Sequence, residues 1–162
     1  MNTLQKIVIL VNLVVVVALF TRSVFQKEEI LSGGKLVLLE LAPVDPRSLI
    51  QGDYMRLSYA ISREVDFDSI SKNGFCILQL HQNGTVDSFR LQEGLDPLSE
   101  SEYPIRYTKA RWNSINIGAE SYFFQEGQAE KYENAKYGGI KVDGKGNSLL
   151  FGLYDEHLNL IE

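Results

Sequence analysis

Residues 74–91 read GFCILQLHQNGTVDSFRL, and the fold follows most directly from this stretch. Two segments rich in apolar residues, 74–82 and 85–91, flank the dipeptide Asn83-Gly84. Asn-Gly between two such segments is the strongest short-range signal for a tight hairpin turn. The sequence therefore predicts an antiparallel β-hairpin here.

Further short strands are expected on both sides of this hairpin. Residues 35–42 (KLVLLELA) are aliphatic and short enough for a strand that is covered on both faces. From residue 54 the chain alternates between two faces, and the apolar face carries Met55, Leu57, Tyr59 and Ile61. Three more segments fit strands: 105–112, 114–124 with Gly118 as a possible bulge, and a closing hairpin of 140–142 and 149–154 around DGKGN.

One helix is expected in this part of the chain, over residues 128–137 (QAEKYENAKY), which are mostly helix formers. Gly138-Gly139 would end it. Seven or eight short strands with one helix describe a mainly β or α+β domain, built as an antiparallel sheet or a partly closed barrel.

The first 25 residues differ in kind from the rest. Residues 7–20 (IVILVNLVVVVALF) carry no charge, and the stretch from Leu4 to Phe25 is long enough to span a bilayer as one helix. Small residues that would suit signal-peptide cleavage, such as Ala18, lie inside the apolar run, which favours an uncleaved signal-anchor over a removed signal peptide. The expected division is an anchor over 1–25, a linker or the frayed end of the helix over 26–34, and a domain over 35–162.

Charges near the anchor give little information on its orientation. Lys6 on one side is set against Arg22 and Lys27 on the other, which is nearly even. A lone N-terminal apolar segment before a soluble domain most often serves export. We therefore expect a single-pass protein of the bacterial cytoplasmic (inner) membrane, with most of the chain on the periplasmic side. The alternative is a cytoplasmic domain tethered the other way round.

Composition excludes several classes of function. A net charge of −5 without a Lys/Arg cluster argues against nucleic-acid binding. Cys76 is the only cysteine, so neither an intrachain disulfide nor a cysteine-based metal site can form within the chain. His81 and His157 lack the spacing of a zinc site. We expect no metal and no cofactor, and common enzyme motifs such as G-x-S-x-G and the P-loop are absent.

Two rows of aromatic and Arg side chains favour a protein partner, because such residues are enriched at interfaces. The rows are Tyr54, Arg56 and Ser58, and Arg106, Arg111 and Trp112. The competing class is an enzyme, a hydrolase of envelope material that uses carboxylates. It requires Asp53, Glu120 and Glu126 to converge in a cleft.

A proline-flanked turn leads into the strand at residue 54. In PVDPRSLIQGD, residues 43–53, Asp45 suits a helix N-cap, Pro46 the first helical position and Gly52 the reversal of direction. The next residues complete the pattern Gly52-Asp53-Tyr54-Met55-Arg56-Leu57-Ser58-Tyr59. This pattern resembles the motif of the GDYXXLXY family at each fixed position. Residues 120–127 (ESYFFQEG), followed by QAEKYENA, and the closing hairpin are similar to later segments of that family.

The resemblance implies a layout and a location. Members of that family have an N-terminal membrane segment and an extracytoplasmic domain, and are often encoded beside multi-pass membrane proteins. The expected function is thus a membrane-anchored accessory domain that contacts the lipid bilayer and an integral membrane protein. The expected binding residues are Asp53, Tyr54, Arg56, Tyr59, Glu120, Tyr122, Glu126 and Gly127.

The same turn is also similar to one in type I signal peptidases, where a Gly-Asp step leads into a strand. Pro43 stands where those enzymes have their nucleophilic serine, and proline cannot attack a carbonyl. Ser48 is out of register, so a peptidase would need Ser48 recruited afresh with a base such as Lys109.

Overall fold

The computed structural model describes residues 2–42, 54–67, 70–111 and 114–162. It begins with one long helix, α1 (Thr3–Gly33), none of whose residues is buried. By length and composition, α1 could cross a membrane, and it lies near the N-terminus. An uncovered aliphatic helix of this length is a candidate membrane anchor because lipid is the solvent in which such a surface is stable.

The helix continues through residues 26–33, so these residues form its end and not an irregular linker. The segment contains Gln, Lys, Glu, Ile and Leu, all of which tolerate a helix well. The Ser32 hydroxyl donates a hydrogen bond to the Glu28 carbonyl, 2.8 Å away. Gly33 is the last helical residue, and Gly34 follows in an extended conformation.

Nine short strands follow in the described part of the chain, and they pair in three antiparallel sheets without closing a barrel. They are β1 (Lys35–Glu40), β2 (Tyr54–Arg56), β3 (Asn73–Leu80), β4 (Val86–Gln92), β5 (Glu102–Lys109), β6 (Ile115–Asn116), β7 (Ser121–Phe123), β8 (Tyr137–Val142) and β9 (Ser148–Tyr154). The sheet orders are β1-β8-β9, β2-β7 and β4-β3-β5-β6. The predicted antiparallel β-rich domain, which follows an apolar helix in the sequence, is confirmed. Of the two predicted forms, the structure has open sheets and not a barrel.

The hairpin at Asn83-Gly84 is confirmed as β3 and β4. Gly84 has a φ of +86°, which glycine adopts without strain. The Asn83 side-chain oxygen accepts a hydrogen bond from the Thr85 amide at 3.1 Å. The Gly84 carbonyl also accepts one from the Leu38 amide of β1 at 2.9 Å, so this turn links two sheets. The closing hairpin is confirmed as β8 and β9.

The helix predicted over 128–137 is wrong. Only a 3₁₀ turn, Ala129–Tyr132, forms there, and β8 already begins at Tyr137. Tyr132 is buried against aromatic residues, and β8 pairs with both β1 and β9. Burial of Tyr132 and two strand pairings outweigh helix propensity, which is a weak preference of each residue.

Residues 114–124 form two short strands and not one. Gly118, with a φ of +83°, separates β6 from β7. The chain thereby changes partner, from β5 to β2. A single residue in this conformation interrupts pairing, because extended strands need a negative φ.

The core lies between the sheets, and it includes the apolar face predicted for the segment after residue 54. Met55, Leu57, Tyr59 and Ile61 are all buried. Cys76 is fully buried as well. The turn at residues 43–53 lies outside the described residues.

Candidate functional site

The described part of the motif, Tyr54 to Tyr59, begins in a two-stranded ribbon. In the β2–β7 pair, Tyr54 lies opposite Phe123, Met55 opposite Tyr122, and Arg56 opposite Ser121. Residues directly opposite in an antiparallel pair share a face. One face therefore carries Tyr54, Arg56, Ser121 and Phe123, and we call it the outer ribbon face.

The outer ribbon face is open to solvent. Phe123 is 74% exposed, whereas Phe151, the next most exposed large apolar side chain described beyond α1, is 44% exposed. The Phe123 and Tyr54 rings lie 5.7 Å apart at an angle of 38°. Arg56 is exposed beside them. An exposed phenylalanine beside a half-buried tyrosine and an exposed arginine is a typical interface composition.

The other residues of the motif point inward and hold the neighbouring segment. The Leu57 amide donates to the Glu120 carbonyl at 2.8 Å. The Tyr59 hydroxyl donates to the Ala119 carbonyl at 2.6 Å, within the core. Burial, and to a lesser degree the Glu120 charge, raises the pKa of Tyr59 above its ordinary value. This hydroxyl therefore remains a neutral hydrogen-bond donor.

The ring of Tyr59 also explains a glycine in β8. A Cβ atom placed on Gly138 would lie 2.8 Å from the ring carbon Cε1 of Tyr59. Only glycine leaves room for the ring at this position without a shift of the strand. Tyr59, expected to bind a partner, is 1% exposed and has an architectural role here.

Glu120 is half-buried and stabilises the turn between β6 and β7. One of its carboxylate oxygens accepts hydrogen bonds from the Ile117 and Gly118 amides. A carboxylate that accepts hydrogen bonds from two backbone amides is held in place. Glu120 thus has a structural role in this turn.

Of the two remaining acids of the hydrolase alternative, Glu126 is among the described residues. Glu126 is exposed, as is Gly127, which has a φ of +82°. Asp53 lies outside the described residues. The described structure therefore shows no carboxylate pair built for acid–base chemistry among the residues that the alternative names.

Tyr122 lies on the inner side of the ribbon. Its ring meets the Tyr132 ring edge-on, with centroids 5.0 Å apart. Burial, followed by a hydrogen bond with Tyr132, raises the pKa of Tyr122 to about 12. Tyr122 thus stays protonated and packs the ribbon onto the core.

In the second row predicted from sequence, Arg106 does not join the outer ribbon face. Arg106 belongs to β5 in a different sheet, where its guanidinium lies 5.3 Å from the centre of the Phe75 ring. Arg111 is exposed, and Trp112 lies outside the described residues.

The described residues that were considered for catalysis or metal binding are buried or interact with other groups of the protein. Lys109 Nζ donates to the Phe67 carbonyl at 2.7 Å, and Ser48 lies outside the described residues. Burial raises the pKa of the Cys76 thiol to about 12, which disfavours the thiolate. His81 is paired with Asp87. In the described ranges no three His, Cys, Asp or Glu side chains are grouped to hold a metal ion.

Sequence reasoning missed Phe123 and Ser121 on the outer ribbon face. The alternation of Ser121, Tyr122 and Phe123 was the available signal. It identifies two faces but not the partner strand, so the meeting of Phe123 with Tyr54 was not predictable.

The comparisons with known proteins support one assignment. A family model described as GDYXXLXY protein matches residues 16–153, which is most of the chain. No curated protein matches the sequence, and no solved structure matches it.

Proposed function

This chain belongs to the GDYXXLXY protein family, and from that premise we propose that it is a membrane-anchored accessory domain whose outer ribbon face binds a multi-pass integral membrane protein. The domain lies on the periplasmic side of the bacterial inner membrane. A lone apolar helix ahead of a β-rich domain supports this location.

The observation that carries the proposal is the exposure of Phe123 beside Tyr54 and Arg56. An aromatic side chain left 74% in water loses the hydrophobic stabilisation that burial would provide. A partner that covers the ring recovers this free energy, and Arg56 supplies the charged contact that orients the partner.

The anchor strengthens binding to the partner without adding a contact between the two proteins. A domain tethered to the bilayer is confined to a thin layer, where a membrane partner is also confined. Its effective concentration is therefore high, so a small interface is sufficient.

The test is a mild-detergent pull-down of the full chain from membranes, with mass spectrometry of the co-purifying proteins. Phe123→Ala and Arg56→Glu are compared with Phe151→Ala and Arg111→Glu, which change exposed residues elsewhere. We expect a multi-pass protein with the native chain and both controls, and a loss of about tenfold or more with either ribbon variant.

Circular dichroism of each purified variant verifies that it is folded. Equal recovery of the multi-pass protein with Phe123→Ala and Phe151→Ala would contradict the proposed interface. A native chain that purifies without any membrane protein would contradict the accessory role, and would direct attention to the carboxylates of the hydrolase alternative.

A further inference from the structure

A second surface lies where α1 meets the β domain. A groove of about 1000 Å³ runs between the last turns of the helix, the β8–β9 turn and the start of β5. Its lining includes Gln26, Lys27, Ile30, Lys35, Tyr103 and Lys145, and we call this surface the junction groove.

The length of α1 determines the depth of the junction groove in a membrane. The hydrocarbon layer of a bilayer is about 30 Å thick and takes about 20 helical residues. The apolar part of α1 ends at Phe25. At about 1.5 Å per residue, Gln26, Lys27 and Ile30 extend through the headgroup layer, which is roughly 5–7 Å thick on each side.

The lysines of the groove are available for a ligand. Lys27, Lys35 and Lys145 are exposed, and none of them forms an ion pair with another described residue. Lys35 Nζ lies 5.8 Å from the centre of the Tyr103 ring, an aromatic residue of the kind that favours the membrane interface.

Two of the three acids that line the groove are already bound within the protein. Glu102 accepts hydrogen bonds from Arg90, at 2.9 Å, and from the Ser99 amide. Asp143 accepts from the amides of Lys145 and Asn147 in its own turn, at 2.9 and 2.8 Å. Arg90 offsets the charge of Glu102, whereas Asp143 keeps its charge beside Lys145, so Glu29 and Asp143 both oppose the lysines.

The carbonyl end of α1 would by itself repel an anion, because helix C-termini carry partial negative charge. Lys141 offsets this, since its ammonium donates to the Gly34 carbonyl at 3.2 Å. Three lysines and three acids line the groove, and Arg90 and Lys141 beside it make five positive groups against three negative ones. The groove therefore combines a surplus of positive charge with an interfacial tyrosine and a position at headgroup depth.

We propose that the junction groove binds the headgroup of an anionic phospholipid, with the lipid phosphate contacting Lys27, Lys35 and Lys145. The acyl chains of that lipid lie along the apolar part of α1. This site requires α1 to lie in a membrane, and it does not depend on the outer ribbon face or on the protein partner.

The test uses the full chain in nanodiscs of phosphatidylcholine with phosphatidylglycerol. After transfer to mild detergent, native mass spectrometry measures the lipid that remains bound. We expect phosphatidylglycerol to be retained in preference to phosphatidylcholine. Juxtamembrane lysines contribute about fivefold each in binding anionic lipid, so Lys35→Gln with Lys145→Gln should reduce retention by more than tenfold.

The matched control is Lys72→Gln with Lys131→Gln, which removes the same charge from exposed positions outside the groove. It should retain phosphatidylglycerol as the native chain does. Equal loss in the two double variants would overturn the site, because net charge alone would then explain binding. Equal retention of both lipids by the native chain, or undiminished retention of phosphatidylglycerol by the groove variant, would overturn it as well.

Acylation of lysines in intact nanodiscs gives an independent measurement. Lys35 and Lys145 should be protected when phosphatidylglycerol is present and reactive in phosphatidylcholine alone. Unchanged reactivity in the two membranes would overturn the proposal, even if a lipid co-purified.

Discussion

Tyr59 joins the motif to the rest of the core. Its hydroxyl reaches the Ala119 carbonyl, 60 positions along the chain, and its ring lies over Gly138 of β8. Tyr54, five residues earlier, belongs to the outer ribbon face. Within one short motif, Tyr59 holds the core and Tyr54 lies on the outer ribbon face.

Replacement of Tyr59 by phenylalanine keeps the ring and removes only the hydrogen bond. We expect Tyr59→Phe to lower the free energy of unfolding by about 1–2 kcal/mol, because a buried carbonyl loses its donor. Urea unfolding at pH 7, followed by circular dichroism, measures the change.

The matched control is Tyr137→Phe. In the described part of the chain the hydroxyl of this half-buried tyrosine has no hydrogen-bond partner, so a change below about 0.5 kcal/mol is expected. If both variants unfold at the same urea concentration, the Tyr59 hydroxyl does not stabilise the core as inferred.

At the scale of elements, one ion pair connects two strands that do not pair with each other. Arg90 lies on β4 and Glu102 on β5, and both strands flank β3. The same guanidinium donates to the Pro97 carbonyl at 3.0 Å. A single side chain thus ties the loop between β4 and β5 to the face of the sheet.

This ion pair makes stability depend on pH. The hydrogen bond from Arg90 holds the pKa of Glu102 at about 2, below its ordinary value of 4.5. Because the folded-state pKa is the lower one, the stabilisation is complete above pH 4.5 and is lost as the pH falls toward 2. We expect Glu102→Gln to flatten the loss of stability between pH 5 and 2.

Urea unfolding midpoints measured from pH 6 to 2.5 test this expectation. Glu130→Gln, which changes an exposed residue of the 3₁₀ turn, is the matched control and should follow the native profile. A Glu102→Gln profile that runs parallel to the native one would show that the acid sensitivity arises elsewhere.

For the whole molecule, the long helix and the β domain are nearly independent. None of the 31 residues of α1 is buried, and the domain has its own core. The helix therefore contributes little folding free energy and is a candidate membrane anchor. Its last turns meet the domain at the junction groove.

Removal of residues 1–33 should convert the protein into a water-soluble domain that still unfolds cooperatively. The fragment should remain in the supernatant after ultracentrifugation of lysed cells, whereas the full chain should sediment with membranes. Thermal unfolding followed by circular dichroism measures the fold. A fragment that aggregates or lacks a cooperative transition would show that α1 is part of the folding unit.

Local signals were sufficient for much of this architecture. The apolar run predicted α1, Asn83-Gly84 predicted the central hairpin, and alternation after residue 54 identified the buried face of the motif. The motif itself identified the family. In each case the residues that determine the element are neighbours along the chain. The spacing of apolar residues and the chemistry of the turn residues are therefore sufficient to predict it.

Contacts between distant segments decided the rest. Pairing of β2 with β7 brings Phe123 to Tyr54, and pairing of β8 with β1 replaces a helix before Gly138. The sequence by itself determined the elements and their apolar faces. Only the tertiary structure decided which faces meet, because a pairing between residues more than sixty positions apart leaves no periodic signal in either segment.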